Sequence, residues 1–427
     1  MKIKKSGPLR GELRVAPDKS ISHRGVMLGA IAQGNTVIEN FLTGEDCLST
    51  ISCFEKLGID VERNGTIVTV HGKGMHGLRA PSEVLYTGNS GTTTRLLCGL
   101  LSAQDFACTL DGDASIRRRP MDRVIVPLSR MGADITGVGG NYAPLSIRGS
   151  KLHGITYDMP VASAQLKSAL ILAGLYAEGE TVLTEPNPSR NHTELMLNGF
   201  GGHIESEGCK VTVHPVGQLY GGKVQVPGDI SSAAFFLAAG LIVPGSQLVI
   251  RDVGLNPTRT GVIEVLRAMG GDIRIENERN EMEPMGDIVV TASSLYGTEV
   301  GGSLIPRLID ELPIIAAVAA FAEGETVIRD AQELKVKESN RIDAMARELA
   351  RTGVDVTATE DGLIIRGGKP VHGADFCSYA DHRVAMSMAV LALAAEGESS
   401  IDDPACIRIS YPDFAQNLKD LGGEVQL

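Results

Sequence analysis

There is no tryptophan among the 427 residues, and aromatic residues of every kind make up only 4%. Platforms on which unpaired bases could stack are therefore scarce, and a formal charge of −12 opposes non-specific binding to a nucleic acid. Long hydrophobic runs are missing too. Apolar stretches such as Leu312 to Ala322 fall short of the roughly 20 residues needed to span a bilayer as a helix. The basic start, Met1-Lys2-Ile3-Lys4-Lys5, leads into no apolar segment, so it does not read as a secretory leader. Cysteine is sparse and unpatterned: seven residues, at 47, 53, 98, 108, 209, 377 and 406, without a C-x-x-C pair. Reduced, mostly buried thiols in a cytoplasmic protein are expected, and neither a disulfide frame nor a zinc site.

What is present is ordinary globular composition, 43% apolar and 22% charged, in a chain too long for one core. Two or more domains follow from the length. A repeat is written in the glycines, at Leu57-Gly58-Ile59-Asp60, Met131-Gly132-Ala133-Asp134, Phe200-Gly201-Gly202-His203, Met269-Gly270-Gly271-Asp272, Thr352-Gly353-Val354-Asp355 and Leu421-Gly422-Gly423-Glu424. The first glycines are separated by 74, 69, 69, 83 and 69 residues. A second series runs in phase, at Gly34, Gly179, Gly245, Gly324 and Gly397, and its expected member near Asp105-Phe106 has lost the glycine. Glycine past a periodic apolar run marks a helix C-terminus, and alternating stretches such as Ile67-Val68-Thr69-Val70 suit strands. Six α/β units of about seventy residues are predicted.

The two halves also echo each other. Val15-Ala16-Pro17-Asp18-Lys19-Ser20-Ile21-Ser22 resembles Val226-Pro227-Gly228-Asp229-Ile230-Ser231-Ser232-Ala233, each with Asp and Ser where a helix begins. Only the first copy carries Lys19 and Arg24, so chemistry is expected there. Further cations stand at predicted helix starts or glycine-rich turns. They occur in Gly88-Asn89-Ser90-Gly91-Thr92-Thr93-Thr94-Arg95, Arg117-Arg118-Arg119-Pro120-Met121-Asp122-Arg123, Ser163-Ala164-Gln165-Leu166-Lys167, Arg190-Asn191-His192-Thr193-Glu194 and Asp381-His382-Arg383. Helix N-termini favour anions, and arginine forks grip phosphate and carboxylate. Asp310-Glu311 precedes an apolar run, where it either faces a site or caps the helix. Lys335-Val336-Lys337-Glu338-Ser339-Asn340-Arg341 reads as acid, base and cation within one helical turn, suited to proton transfer beside an anion or to a salt-bridged surface. Each segment alone is ambiguous. If those starts converge on one cleft, the cleft binds more than one anion.

The set Lys19-Ser20-Ile21-Ser22-His23-Arg24, Asn89-Ser90-Gly91-Thr92, Arg119-Pro120-Met121, Ser163-Ala164-Gln165, Lys337-Glu338-x-x-Arg341 and Asp381-His382-Arg383 resembles the 5-enolpyruvylshikimate-3-phosphate synthase family, in order and over essentially the whole chain. The resemblance implies an α/β fold of two domains, each of three βαβαββ units, the inside-out α/β barrel of enolpyruvyl transferases. Residues 1–18 with 229–427 would form one domain and 19–228 the other, with the active site in the cleft between them. It implies transfer of the enolpyruvyl group of phosphoenolpyruvate to the 5-hydroxyl of shikimate-3-phosphate, with no metal or organic cofactor, by a monomeric cytoplasmic enzyme. Neither nucleic acid nor membrane is an expected partner. By likeness, Lys19, Gly91, Arg119, Gln165, Arg341, His382 and Arg383 would bind phosphoenolpyruvate. Lys19, Ser20, Arg24, Ser163, Ala164, Gln165, Arg190, Asp310 and Lys337 would bind shikimate-3-phosphate. Asp310 and Glu338, assisted by Lys19, would move protons.

Three positions depart from the family pattern: Ala16-Pro17 before Asp18, Asn340 where Asp is common, and Ile409 where some members have a lysine, with Arg408 beside it. A related family, the UDP-N-acetylglucosamine enolpyruvyl transferases, carries a cysteine where Ala114 stands here. Segments 163–167, 190–194 and 256–259 resemble the glyphosate-tolerant branch, whereas Gly91 resembles the sensitive condition.

Overall fold

The computed structural model describes residues 1–426. They divide into two compact units, Met1–Ala16 with Pro227 onward, and Pro17–Val226. The divisions fall two residues before those expected from the sequence, for a local reason. Asp18 caps the helix Lys19–Ile31, accepting from the Ile21 N–H at 2.9 Å, and so goes with that helix. Gly228 N–H bonds to Asp252 O at 2.7 Å and so goes with the other unit.

Within the described residues the strands form six four-stranded sheets, three in each unit. Each sheet has one parallel pair followed by antiparallel partners. In one, Thr156–Asp158 lies parallel to Thr181–Thr184, which pairs antiparallel with Lys210–His214, and that strand with His203–Glu207. The sequence order strand, helix, strand, helix, strand, strand accounts for the pattern, because the parallel step needs a helical crossover, while an adjacent pair such as His203–Glu207 and Lys210–His214 closes as a hairpin. Two sheets take their first strand from before a chain crossing. Arg10–Arg14 pairs with Gln247–Gly254, and Lys223–Gln225 with Gln33–Glu39. The duplicated turn therefore marks where the chain passes from one unit to the other.

All eleven repeat glycines sit in the left-handed region, from Gly245 at φ +75° to Gly132 at +97°. At Gly270 an added Cβ would also stand 3.0 Å from Ser294 O. The first-series turns require this conformation to end a helix and reverse into a strand. At the position without its glycine, Gln104 N–H bonds back to Leu101 O and no left-handed residue is used.

Helices divide into two kinds. Ile230–Ile242 and Leu312–Ala319 are buried at every residue, and His382–Ala394 at nearly every one; the three pack on one another in the centre of their unit. A helix apolar all round belongs inside a core. Arg341–Arg351 and Asp122–Arg130 have one apolar face and cover the outside of their units. In the other unit Lys19–Ile31, Gly91–Ser102 and Ala164–Gly174 are the buried helices. Phe235, Phe236, Tyr411 and Phe414 form a ring cluster with centroids 5.8–5.9 Å apart. Each such ring contributes roughly 1.5–3 kcal/mol by leaving water. Five of the seven cysteines are buried and all are free thiols; burial pushes Cys53 and Cys98 up to about 12. Among the described residues no helix is long and apolar enough to cross a membrane.

Candidate functional site

Lys19, Ser20, Gly91, Ser163, Ala164, Gln165, Asp310, His382 and Arg383 lie at or just before the N-terminal ends of buried helices. A polar side chain closes five of the six buried helix starts, and Leu312–Ala319 has no capping side chain. Asp18, Ser90 and Ser163 cap the three helices of the unit Pro17–Val226, and Asp229 and Asp381 cap two in the other. A buried helix start leaves unpaired N–H groups and the positive end of a dipole, which favours anions.

In the unit Pro17–Val226, Lys19 Nζ lies 3.2 Å from Asp46 Oδ2. Arg24 is buried and held by neutral groups. Its Nε donates to Thr193 Oγ1 and its Nη2 to Ser168 Oγ, both at 2.7 Å, and Nη1 donates to Ser20 O at 2.9 Å. Gln165 joins two helix starts, accepting from Arg95 Nη1 at 2.7 Å and donating to Thr92 Oγ1 at 3.1 Å. Ser163 Oγ accepts from Leu166 N–H, which places Ala164 in the first turn. Arg119 donates to Asn89 Oδ1 at 3.0 Å and Ser115 Oγ at 3.1 Å. It ends a short helix, Ala114–Arg118, where the sequence reading put a cation at a helix start. A Cβ on Gly91 would stand 2.9 Å from Arg95 Nη1 and 3.1 Å from Arg119 Nη1, so only glycine leaves both guanidinium groups undisturbed. Arg190 is half-buried just before the helix His192–Gly199.

In the other unit the centre is Asp310. Lys337 Nζ stands 3.4 Å and Arg341 Nη1 3.6 Å from Oδ1, and Arg383 Nη2 stands 4.0 Å from Oδ2 while its Nη1 donates to the Asp310 carbonyl at 3.0 Å. Arg341 is 1% exposed. It donates through Nε to Asp381 Oδ2 at 2.8 Å and through Nη2 to Glu338 Oε2 at 2.6 Å. Burial alone would raise the Glu338 carboxyl, but Arg341 and His382 overcome it and hold it at about 2. Asp381 likewise stays below the usual carboxylate range: burial works to raise it, and Arg341 prevails. Asp381 also caps His382–Ala394 through the Arg383 N–H, at 2.9 Å. The two residues before it, Tyr379 and Ala380, have φ of +54° and +52°. Such strain in non-glycine residues is tolerated only where the surroundings enforce it.

The helical turn predicted for 335–341 does not form. Lys337 to Asn340 lie between a short 3-10 turn, Gln332–Val336, and the helix Arg341–Arg351. Asn340 is the N-cap of that helix, accepting from Asp343 N–H at 3.3 Å and donating to Asp343 Oδ2 at 2.8 Å. Asparagine caps as well as aspartate does, and the cap frees Lys337 and Glu338 from helical geometry. Glu311 takes no capping bond; its carboxylate is buried, accepts from Ser231 Oγ and lies 3.7 Å from Arg383 Nη1. Ile409 is exposed, as is Arg408.

Several pairings escaped the sequence reading. Arg95, Thr193 and Glu311 stand in segments singled out above, but their contacts with Gln165, Arg24 and Arg383 join residues distant in the chain, as do those of Asp46 with Lys19 and Ser168 with Arg24.

Six βαβαββ units, cations and carboxylates at buried helix starts, and a polar cap on nearly every one are the features of an enolpyruvyl transferase. Comparison narrows this. Residues 3–418 match the family model of EPSP synthase (3-phosphoshikimate 1-carboxyvinyltransferase), and the chain belongs to that family. It is 56% identical over 415 residues to the 3-phosphoshikimate 1-carboxyvinyltransferase of Thermoanaerobacter sp. (strain X514), covering 97% of this chain and 98% of that one. It is 55% identical over 417 residues to the protein of that name from Geobacillus kaustophilus, covering 97% and 98%. The solved EPSP synthase of Acinetobacter baumannii superposes with a TM-score of 0.91 at 46% identity, over 99% of this chain and 98% of that one.

Proposed function

We propose that the charged residues of both units serve one reaction, in which Asp310 and Glu338 move the protons with Lys19 assisting. The reaction transfers the enolpyruvyl group of phosphoenolpyruvate to the 5-hydroxyl of shikimate-3-phosphate, releasing phosphate, in the shikimate pathway. The hydroxyl oxygen bonds to C2 as its proton departs and another arrives at C3, giving a tetrahedral intermediate. Loss of a C3 proton then expels phosphate from C2 and restores the double bond.

Two highly anionic substrates must lie side by side, and preorganised cations are the means of opposing their repulsion. In this reading Lys19, Gly91, Arg119, Gln165, Arg341, His382 and Arg383 receive phosphoenolpyruvate. Lys19, Ser20, Arg24, Ser163, Ala164, Gln165, Arg190, Asp310 and Lys337 receive shikimate-3-phosphate. The observation that carries it is Asp310, a mostly buried carboxylate ringed by Lys337, Arg341 and Arg383. In this reading that carboxylate accepts the hydroxyl proton. Glu338, held at about 2 by Arg341, is ionised at rest. An anion arriving at Arg341 competes for that guanidinium and makes Glu338 a better proton carrier. Asp310→Asn tests the assignment: turnover with both substrates should fall by roughly 10²–10⁴, and a variant with parental turnover would remove Asp310 from the chemistry.

The same reading makes the protein a cytoplasmic monomer, which light scattering at working concentration checks. It also gives intermediate glyphosate tolerance, since segments 163–167, 190–194 and 256–259 resemble the tolerant branch and Gly91 the sensitive one.

A further inference from the structure

We propose that His203, Glu205 and His214 form a surface site for a borderline divalent transition metal such as Zn²⁺, a function separate from the transferase reaction. The strand register builds it. His203 is paired with His214 across the hairpin formed by His203–Glu207 and Lys210–His214. Thr181 pairs with Val213 on the other side, which puts Glu180 beside His214. Side chains alternate along a strand, so Ile204, Val211 and Val213 face the core while His203, Glu205 and His214 share the outward face.

The donor atoms are close to a ligand set already. His203 Nε2 lies 3.2 Å and His214 Nε2 3.4 Å from the same oxygen, Glu205 Oε1. Tetrahedral bonds of about 2.0–2.1 Å require edges of about 3.3–3.4 Å between ligand atoms. All three donor groups lie within 4.8 Å of one another. The imidazoles are stacked, with centroids 4.1 Å apart. Because stacked rings point their lone pairs in parallel, binding one ion through both requires the exposed His203 ring to turn out of the stack toward the point that His214 and Glu205 share. His214 is the better fixed of the two. Its Nδ1 lies 3.1 Å from Glu180 Oε1, while its Nε2 is shielded from solvent and makes no hydrogen bond among the described residues. A carboxylate on one imidazole nitrogen, with the other nitrogen left for a metal, is the outer-shell arrangement that orients histidine ligands. Two imidazoles and one carboxylate select Zn²⁺, Co²⁺, Ni²⁺ or Cu²⁺ over Mg²⁺ and Ca²⁺, which prefer oxygen alone. The metal would clasp the open end of the hairpin, since the chain reverses at the other end, after Glu207. None of these residues belongs to the set proposed for the reaction.

The test is isothermal titration of Zn²⁺ into chelator-treated full-length protein in a non-coordinating buffer. One ion per chain is expected, with affinity at least tenfold weaker in His203→Ala and in His214→Ala, and weakened by about tenfold or more in Glu180→Gln. Co²⁺ bound at the same site should show ligand-field bands without thiolate charge transfer, which separates it from binding at Cys209, in the turn at the closed end of the same hairpin. Metal-free His203→Ala should keep the parent's transferase rate, so failure to bind Zn²⁺ would leave the reaction assignment intact. No saturable binding, parental affinity in either histidine variant, or a thiolate spectrum overturns the proposal.

Discussion

At the scale of single residues, the account rests on charges held where solvent cannot dilute them. Glu338 is the sharpest case, because its carboxyl is kept near 2 by Arg341 and His382 against the pull of burial. Glu338→Gln keeps the size and removes the charge. Turnover should drop by roughly 10²–10⁴, the ordinary loss for a general acid or base, with shikimate-3-phosphate affinity little altered. Stopped-assay kinetics decide this, and near-normal turnover would take Glu338 out of the mechanism. Gly91 makes a steric prediction. A methyl there meets the guanidinium ends of Arg95 and Arg119 at 2.9 and 3.1 Å, so at least one of them must shift. Gly91→Ala should weaken glyphosate, slightly longer than phosphoenolpyruvate, more than it weakens the substrate. Inhibition measured against varied phosphoenolpyruvate tests this; equal proportional changes in the inhibition constant and KM would show that Gly91 does not separate them.

The elements explain why those residues are where they are. The glycine series and the Asp/Ser caps were legible because each is a local requirement: a left-handed turn or a capped N–H is set by one or two residues. The partners of the site residues were not legible. Arg24 rests on Ser168 and Thr193, and Arg341 on Asp381, through contacts that only the packing of whole helices creates. The predicted helical turn at 335–341 failed because alternating charge suits an exposed helix, while Asn340 stops it by capping the next one. His23, in the helix Lys19–Ile31, carries a testable consequence of this packing. It is fully buried with Nδ1 2.7 Å from Thr50 Oγ1, and burial lowers it from 6.5 to about 3. Because the folded value is the lower one, its contribution is complete above 6.5 and is lost as pH falls from there to about 3. Denaturant midpoints should therefore fall more steeply across that window in the parent than in His23→Gln, by up to about 1.4 kcal/mol per pH unit. Parallel slopes would contradict a neutral buried His23.

The whole molecule is two halves with one scaffold and unequal chemistry. The duplicated turns at Asp18 and Asp229 both cap a buried helix, but the first is followed by Lys19 and the second by Ile230. The six-unit architecture could be read from the chain because the repeat is covalently regular. If both halves serve one ligand, Arg119→Ala in one unit and Arg383→Ala in the other should each raise KM for phosphoenolpyruvate and make it more sensitive to salt. Parental behaviour of both variants would take these arginines out of phosphoenolpyruvate binding. The most direct measurement is release of inorganic phosphate from phosphoenolpyruvate by the purified protein, with and without shikimate-3-phosphate. The account predicts phosphate release, and a stoichiometric enol ether product, only when both substrates are present; release that ignores shikimate-3-phosphate, or none with both, would contradict it.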